Sequence, residues 1–251
     1  MSRWLGGVSH GRCLWVAVFL MLFGQAAHAD LSIVGTRFIY PEGLSALSIR
    51  VGNLGSSPLL LQAWLDKGDA SVDPSRLAVP FVLSPPLSRL DPQQRAVLSV
   101  RYSGDPLPKD RESVFWINAL EVPSLQPMDG NQLRFAYRLR MKLLYRPKGL
   151  SGTADTAVTQ MSWRLRPGVA ADAGLTLEAR NPTPYFVSLA ALEVATERQP
   201  QHFQGITVDP FSTLQLPLPG VQARAVGPTE IRYQVATDSG ETLSGSVQIH
   251  P

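Results

Sequence analysis

The sequence predicts an all-β protein made of two β-sandwich domains, and three observations support this fold class. After residue 29, short segments rich in β-branched and aromatic residues alternate apolar and polar positions, as half-buried strands do. Clusters such as "YPEG" and "GDPLPKD" separate these segments with turn-forming residues. No window carries a long apolar stripe at the 3.6-residue helical period. Many short strands with regular turns are typical of antiparallel sandwiches or barrels.

The first 29 residues are predicted to be a signal peptide. Arg3 and Arg12 precede or border the apolar run "CLWVAVFLMLF", and "AHA" at 27–29 supplies the small residues of a cleavage site. The apolar run is shorter than the roughly 20 residues that a transmembrane helix needs. We therefore expect an exported, mature chain of residues 30–251 without a membrane span.

The charge and cysteine content of that mature chain exclude several classes of protein. Removing two of the 23 basic residues leaves 21 against 20 acidic ones, a net charge of +1. A nucleic-acid binder would show a broader basic surface, so none is expected. The single cysteine, Cys13, lies in the signal, so the mature chain has neither a disulfide nor a thiol site.

The predicted strands fall into two groups, separated by a candidate linker at 146–156, "RPKGLSGTADT". This linker divides the mature chain into 30–148 and 149–251, each close to the ~100 residues of an immunoglobulin-like domain. The segment "SLAALEVATE" is compatible with a short helix, but we predict a strand because "YFVSL" leads directly into it. The predicted strands are "LSIVGTRFIY", "SALSIRVGN", "LLLQAWLD", "AVLSVRYS", "SVFWINALEV" and "LRFAYRLRMKLLY", then "TQMSWRLR", "GLTLEARN", "YFVSLAALEV", "ITVDP", "STLQLPL", "EIRYQVAT" and "TLSGSVQIH".

The mature chain offers little for catalysis. His202 and His250 are its two histidines, and they do not have a metal-ligand spacing. There is no G-x-S-x-G motif and no glycine-rich phosphate loop. We therefore predict no catalytic residues, no metal and no cofactor. If two of the scattered carboxylates come together in the fold, a glycoside hydrolase stays open as an alternative function.

Several stretches together resemble the periplasmic chaperones of the chaperone–usher pilus pathway, and they span the mature chain. The resemblance implies two immunoglobulin-like domains arranged in an L with a cleft between them. It also implies a periplasmic chaperone, acting without ATP, that binds pilin subunits and delivers them to an outer-membrane usher. The stretches are "GTRFIYPEG" (35–43), "PFVLSPPLSRLDP" (80–92), "LPKDRESVFWINALEVP" (107–123), "RMKLLYRPKGL" (140–150), "NPTPYFV" (181–187) and "VDPFS" (208–212).

The resemblance assigns a donor strand to about residues 131–145. Such a strand completes the unfinished sandwich of a pilin, and Leu133, Phe135 and Tyr137 match its alternating donor positions. The sequence itself shows a strand with an apolar face and a strongly basic face in "RFAYRLRMKLLYRP". Donor positions in the family are usually aliphatic, so the aromatic residues predict a wider pocket in the pilin.

The resemblance also implies two sets of charged site residues. Arg37 and Lys142 match the cleft residues that hold the carboxylate at the pilin C-terminus, which suits a charge-assisted anion site. Glu112, Arg146 and Asp238 match an interdomain charge network that sets the domain angle.

The loop 124–130 is short, which resembles the branch whose clients build rods or fimbriae.

Two points stay open on the sequence. The free chaperone could cap its donor strand by forming a homo-oligomer, and the sequence does not decide this. The competing reading is an immunoglobulin-like structural or adhesive surface protein.

Overall fold

The computed structural model describes residues 30–124, 135–167, 174–195, 200–221 and 228–249. Nearly all of the regular structure in these residues is β-strand, as the sequence predicts. The strands form four sheets around two hydrophobic cores, and the two cores use residues from separate halves of the chain. The predicted boundary at residues 148 and 149 lies between the two sets of core residues and stays a prediction.

The first domain is a sandwich of a four-stranded and a five-stranded sheet. The four-stranded sheet has the order β1-β3-β7-β5, and the five-stranded sheet has the order β2-β9-β8-β4-β6. All pairings are antiparallel except that of β2 with β9, which is parallel. The strands are β1 (Leu31–Ile33), β2 (Arg37–Pro41), β3 (Leu47–Asn53), β4 (Leu59–Asp66), β5 (Phe81–Ser84), β6 (Leu87–Leu90), β7 (Arg95–Tyr102), β8 (Ser113–Pro123) and β9 (Tyr137–Arg146).

The second domain packs a three-stranded sheet, β10-β11-β14, with a four-stranded sheet, β13-β12-β15-β16. The predicted strand in "YFVSLAALEV" is confirmed, because β12 covers it. The elements are a short helix α1 (Ala154–Ala157), then β10 (Ser162–Pro167), β11 (Leu175–Asn181), β12 (Val187–Ala195), β13 (Gln201–Val208), β14 (Ser212–Leu218), β15 (Thr229–Ala236) and β16 (Thr242–Ile249). Two short 3₁₀ turns lie at Pro74–Arg76 and Val158–Gln160.

Alternating burial explains why these segments pack as sandwiches. In β4 the side chains of Leu59, Leu61 and Ala63 point into the first core, and the residues between them face outward. That period of two is the strand period, so each sheet has one apolar face. The apolar faces of the two sheets pack against each other. The first core is closed by a cluster of aromatic rings in edge-on, tilted and stacked contact: Tyr40, Phe81, Tyr102, Phe115 and Tyr145.

The structure corrects the sequence prediction for the first strand. The segment "LSIVGTRFIY" is two strands, β1 and β2, which belong to opposite sheets of the first domain. Gly35 lies between them at a φ of +119°, where a side chain would be strained. The chain therefore leaves one sheet at this glycine and enters the other, which the apolar alternation alone did not reveal.

Four other elements were missed or shortened. The strands β5 and β6 were hidden by the prolines of "PFVLSPPLSRLDP", because proline argues against a strand. The strand β13 starts at Gln201, well before the predicted "ITVDP". The predicted linker contains α1, which is capped by the Thr153 side chain and buries Ala157 in the second core. Within the described residues, no helix is long and apolar enough to cross a membrane.

Candidate functional site

The first half of β9 has an open edge. On one side, Tyr137–Tyr145 pair with β8 from Glu121 back to Ser113. On the other side, β2 pairs only from Lys142 to Arg146. Among the described residues, Tyr137–Met141 therefore have a strand neighbour on one side alone. Their remaining backbone N–H and C=O groups form an edge to which another strand can add.

The apolar face of β9 runs from solvent into the core. Phe135, which lies just before β9, is 59% exposed, and Tyr137 is 41% exposed, with their ring centroids 6.3 Å apart. Further along the same face, Leu139 is partly buried against the first core and Met141 is buried in it. The two predicted donor positions that the structure describes thus present large apolar side chains to solvent. The third, Leu133, lies outside the described residues, as does the predicted beginning of the donor strand at 131–134.

The two predicted cleft cations lie together where the open edge ends. Arg37 is the first residue of β2 and is the direct partner of Lys142 in the parallel pairing with β9. The Lys142 Nζ donates hydrogen bonds to the Ser188 Oγ at 2.9 Å and to the Thr207 Oγ1. The Arg37 Nη1 donates to the backbone oxygen of Ala236 at 2.6 Å. Both cations, from the first domain, therefore reach residues of the second domain.

Arg37 and Lys142 are partly buried, and the groups around them do not fully balance their positive charge. Burial lowers the pKa of Lys142 to about 8, with the positive charge of Arg37 acting in the same direction. Burial also lowers the pKa of Arg37, although Asp238 and Glu112 oppose the shift. The Arg37 Nε is buried and has no hydrogen-bond partner in the part of the chain that the structure describes. A carboxylate placed here would supply the missing negative charge and acceptor.

The predicted charge network also joins the two domains. The Arg146 Nε donates to the Glu112 Oε1 at 2.6 Å, and its Nη1 and Nη2 donate to the two Asp238 oxygens at 2.6 and 3.1 Å. The Glu112 Oε2 accepts from the backbone N–H of Phe186 at 2.8 Å. The Arg146 guanidinium also lies 5.2 Å from the centre of the Tyr185 ring. The three predicted residues are thus in contact, and they connect the end of β9 to the segment before β12 and to the turn after β15.

The network shifts the pKa values of its members. Burial raises the pKa of Glu112, and the nearby Arg146 only partly offsets this. Burial by itself would lower the pKa of Arg146, but its contacts with Asp238 and Glu112 outweigh it and raise the pKa. The arginine therefore stays charged and holds both carboxylates.

Sequence reasoning missed the two hydroxyl groups that hold Lys142. Ser188 lies on β12 and Thr207 on β13, where they are directly paired across the strands. A buried serine within the apolar run "YFVSLAAL" was the available signal, since such a hydroxyl requires a partner. That partner is 46 residues earlier in the chain, so local pattern could not identify it.

Two features of the described residues bear on catalysis. Within the described residues, no group of three or more His, Cys, Asp and Glu side chains could hold a metal ion. An open groove of about 490 Å³ on the four-stranded sheet of the second domain contains Glu193 and Glu230. Both carboxylates are ion-paired with Arg232, at 2.8 and 2.6 Å. Both carboxylates of the groove are therefore engaged by one arginine, whereas glycoside hydrolysis uses two carboxyl groups that face the substrate.

A β-sandwich with an open strand edge, beside exposed aromatic side chains, belongs to the class of proteins that can bind a partner by strand addition. Comparison with protein families makes this class specific. Residues 30–151 match the N-terminal domain of the pili and flagellar-assembly chaperone PapD, and residues 156–247 match the C-terminal domain of the pili assembly chaperone PapD. The chain belongs to the PapD family of pilus-assembly chaperones. Members of this family are chaperones and not enzymes, as the sequence predicted.

Individual relatives agree with the family. The chaperone protein FimB/FhaD of Bordetella pertussis is 41% identical over 236 residues, covering 90% of this chain and 92% of that protein. The probable fimbrial chaperone YadV of Escherichia coli K12 is 36% identical, covering 92% of this chain and 95% of that protein. The crystal structure of the YadV chaperone superimposes with a TM-score of 0.74 at 33% identity, covering 88% of this chain and all of that one.

One solved structure includes a client. The SafB chaperone of Salmonella enterica, in complex with the SafA pilin, has a TM-score of 0.71 and 26% identity to this chain. The match covers 90% of this chain and 98% of that chain. The predicted two-domain, all-β fold and the predicted chaperone family are therefore confirmed.

Proposed function

We propose that this protein binds fimbrial subunits by lending the open edge of β9 as a donor strand. The single observation that supports this most strongly is where the open edge ends. Within the part of the chain that the structure describes, Tyr137–Met141 lack a strand neighbour on one side, and the next position is the pair Arg37 and Lys142. A subunit strand that adds along this edge would bring its terminal carboxylate to the two cations.

The backbone and the side chains of β9 have different tasks in this proposal. Backbone hydrogen bonds along the open edge attach the subunit strand with little demand on its sequence. The exposed rings of Phe135 and Tyr137 enter the groove of the subunit's unfinished sandwich, and Leu133 is proposed to do the same. Burial of each such side chain contributes roughly 1.5–3 kcal/mol before the costs of association are subtracted.

The carboxylate anchor needs free hydrogen-bond donors, and the site has them. An ammonium group carries three N–H donors, and the described contacts of Lys142 use two of them, on Ser188 and Thr207. The Arg37 Nε has no partner among the described residues. One carboxylate can therefore accept from both cations while the existing bonds to the second domain are kept.

The interdomain network is proposed to set the angle between the two domains. Arg146 is the last residue of the parallel pairing of β9 with β2, and it binds Glu112 and Asp238 where the two domains meet. It therefore couples the position of the donor strand to that of the second domain. Its effect on affinity is indirect, because none of the three side chains lies on the open edge.

The cellular setting is proposed from the resemblance. The segment 1–29, which lies outside the described residues, is proposed to direct the protein to the periplasm and to be removed there. Subunits are then passed to an outer-membrane usher without ATP, driven by the folding energy of the assembled subunits. In the absence of a subunit, the open edge is available for capping by a second copy, and sedimentation of the free protein with and without subunit tests this.

Co-expression with a fimbrial subunit from the same gene cluster tests the proposal. We expect the subunit to accumulate in the periplasm and to co-purify with this protein in a defined complex. The competing reading, an immunoglobulin-like adhesive or structural protein, predicts a protein that co-purifies with no subunit. Failure of the subunit to accumulate above the level without this protein would contradict the chaperone role.

A further inference from the structure

The basic face of β9 is clamped to the rest of its own sheet, on the side opposite the exposed rings. Two arginines of this face, Arg138 and Arg140, extend across β8 toward β4. Their guanidinium carbons lie 4.8 Å from the ring centre of Trp64 and 4.3 Å from that of Trp116, respectively. This face is thus occupied within the chain, whereas Phe135 and Tyr137 on the other face are exposed.

The buried carboxylate of Asp66, at the end of β4, lies at the centre of these contacts. The side chain of Asp66 is 1% exposed, and its Oδ1 accepts from the Arg140 Nη2 at 2.6 Å. Its Oδ2 accepts from the Asn118 Nδ2 at 2.7 Å, and the Asn118 Oδ1 accepts from Arg138 at 2.7 and 3.0 Å. The backbone N–H of Gly68 also donates to Asp66, at 2.6 Å. One carboxylate therefore holds Arg140 by a direct hydrogen bond and Arg138 through Asn118 and a longer ion pair of 3.7 Å.

The electrostatics of Asp66 agree with this arrangement. Burial by itself would raise the pKa of its carboxyl group, but hydrogen bonds from Arg140, Asn118 and Gly68 outweigh that effect and hold the pKa below its usual value. Arg138 and Arg140 also donate to the backbone oxygens of Ala70 and Gly68, at 2.9 and 2.7 Å. The clamp thus includes the loop that follows β4.

The contacts of Asp66 and Asn118 distinguish one strand register from its neighbours. Apolar alternation forbids a slip of one residue, because that would exchange the two faces of β9, but it permits a slip of two. A two-residue slip in one direction would put Ala136 in the place of Arg138, opposite Leu120, and the Asn118 Oδ1 would lose its donor. A slip in the other direction would put Lys142 in the place of Arg140, opposite Asn118, where an ammonium lacks the paired donors of a guanidinium.

We propose that Asp66 is a positioning residue that holds β9 in the register at which Phe135 and Tyr137 are presented to a subunit. The inference rests on the proposed donor-strand function of β9. Buried ion pairs contribute little net stability compared with apolar residues of the same volume, and their best attested use is to specify a register. An open edge makes such a device necessary here, because Tyr137–Met141 are held by β8 on one side alone among the described residues.

Amide hydrogen exchange of the free, full mature protein tests the positioning directly. Asp66→Asn keeps the shape and removes the charge, and we expect those amides of Tyr137–Met141 that bond to β8 to exchange at least about tenfold faster. Amides of Leu175–Asn181 in the second domain should be unchanged. The matched control is Asp91→Asn, which removes a carboxylate from the exposed pair with Arg89 and should leave β9 unaffected. Because Asp66 is buried, Arg138→Gln provides a second variant at a more exposed position and should accelerate the same amides.

The result overturns the proposal if the β9 amides of both variants exchange at the parental rate, or if all amides of the first domain accelerate together. A second arm measures the rate at which a co-expressed fimbrial subunit is captured, and Asp66→Asn should slow capture by about tenfold. If exchange accelerates and capture does not slow, Asp66 supports the fold and does not position the donor strand. The donor-strand function fails separately, when the Phe135→Ser, Tyr137→Ser double variant captures the subunit at the parental rate.

Discussion

Arg37 on β2 lies directly opposite Lys142 on β9, in the one parallel strand pairing found among the described residues. Two cations side by side in a partly buried place repel each other, and the lowered pKa of Lys142 reflects burial first and this repulsion second. Such an arrangement is stabilised by an anion. The pair lies where the open edge of β9 ends, so the anion expected there is the terminal carboxylate of an added strand.

Removal of either cation should abolish subunit binding. In Lys142→Ala or Arg37→Ala, the buried carboxylate of the subunit loses a partner, which typically costs about 3–5 kcal/mol. At about 1.4 kcal/mol per tenfold, the affinity falls at least a hundredfold. Lys142→Glu should be worse than alanine because it repels the carboxylate. The measurement is subunit accumulation in the periplasm during co-expression.

The control for these variants has to account for the second domain. Arg37 and Lys142 also bond to Ala236, Ser188 and Thr207, so their removal takes away contacts with the second domain as well as the anion site. Circular dichroism should still show a folded protein, and Lys67→Ala, an exposed lysine, should protect the subunit fully. Normal protection by the Arg37 and Lys142 variants would mean that strand pairing alone carries the binding.

Subunit affinity should fall as the pH rises above about 8. Below this pH, the free protein carries the Lys142 ammonium that the carboxylate needs. Above it, Lys142 loses its proton, and binding must take a proton back from solvent, so affinity falls by up to about tenfold per pH unit. Lys142→Arg is the matched control, since a guanidinium stays charged and should flatten the profile. The measurement is the subunit affinity of the parent and of Lys142→Arg between pH 6 and pH 10. An identical pH profile in the two proteins would exclude Lys142 as the anchor.

Loss of the exposed rings should weaken binding and leave folding intact. Phe135→Ser combined with Tyr137→Ser removes two side chains that are exposed to solvent in the free protein. The free energy of unfolding should therefore change by about 1 kcal/mol or less. Leu143→Ala, on the same strand but fully buried, should cost about 2–5 kcal/mol. Chemical denaturation of the three proteins measures the difference. A large loss in the ring variant would mean that the rings belong to the core of the chaperone.

Arg146→Ala should destabilise the protein even though Arg146 is not on the open edge. It leaves the Glu112 carboxylate, whose side chain is fully buried, without its cation, at a typical cost of about 3–5 kcal/mol. Arg166→Ala, which breaks an exposed pair with Glu178, should cost at most about 1 kcal/mol. Equal melting curves for the two variants would show that the network is only a surface contact.

Local pattern predicted much of this fold, because the segments that became β4, β8 and β9 alternate at the strand period. The prediction failed where a change in backbone direction or a proline interrupts the alternation of apolar residues. Gly35 moves the chain from one sheet to the other, and the prolines around Phe81–Ser84 hid a strand. These are events of backbone geometry that apolar alternation does not record.

The candidate site likewise contains residues that the sequence identified and residues that it did not. Arg37 and Lys142 were identified by resemblance to a family, and the structure brings them together through strand pairing. Their partners Ser188 and Thr207 could not be predicted, since each contact joins residues far apart in the sequence. Asp66 was equally invisible, because an aspartate at the end of a strand usually begins a turn.

The central claim is that a subunit strand adds to the open edge of β9. Residue-resolved amide exchange of the protein, alone and in complex with a co-expressed fimbrial subunit, tests it most directly. The account predicts that amides within Tyr137–Met141 gain protection in the complex, while those within Lys142–Arg146, already paired with β2, change little. If the subunit binds and the exchange of Tyr137–Met141 stays as in the free protein, the donor strand lies elsewhere and the account is wrong.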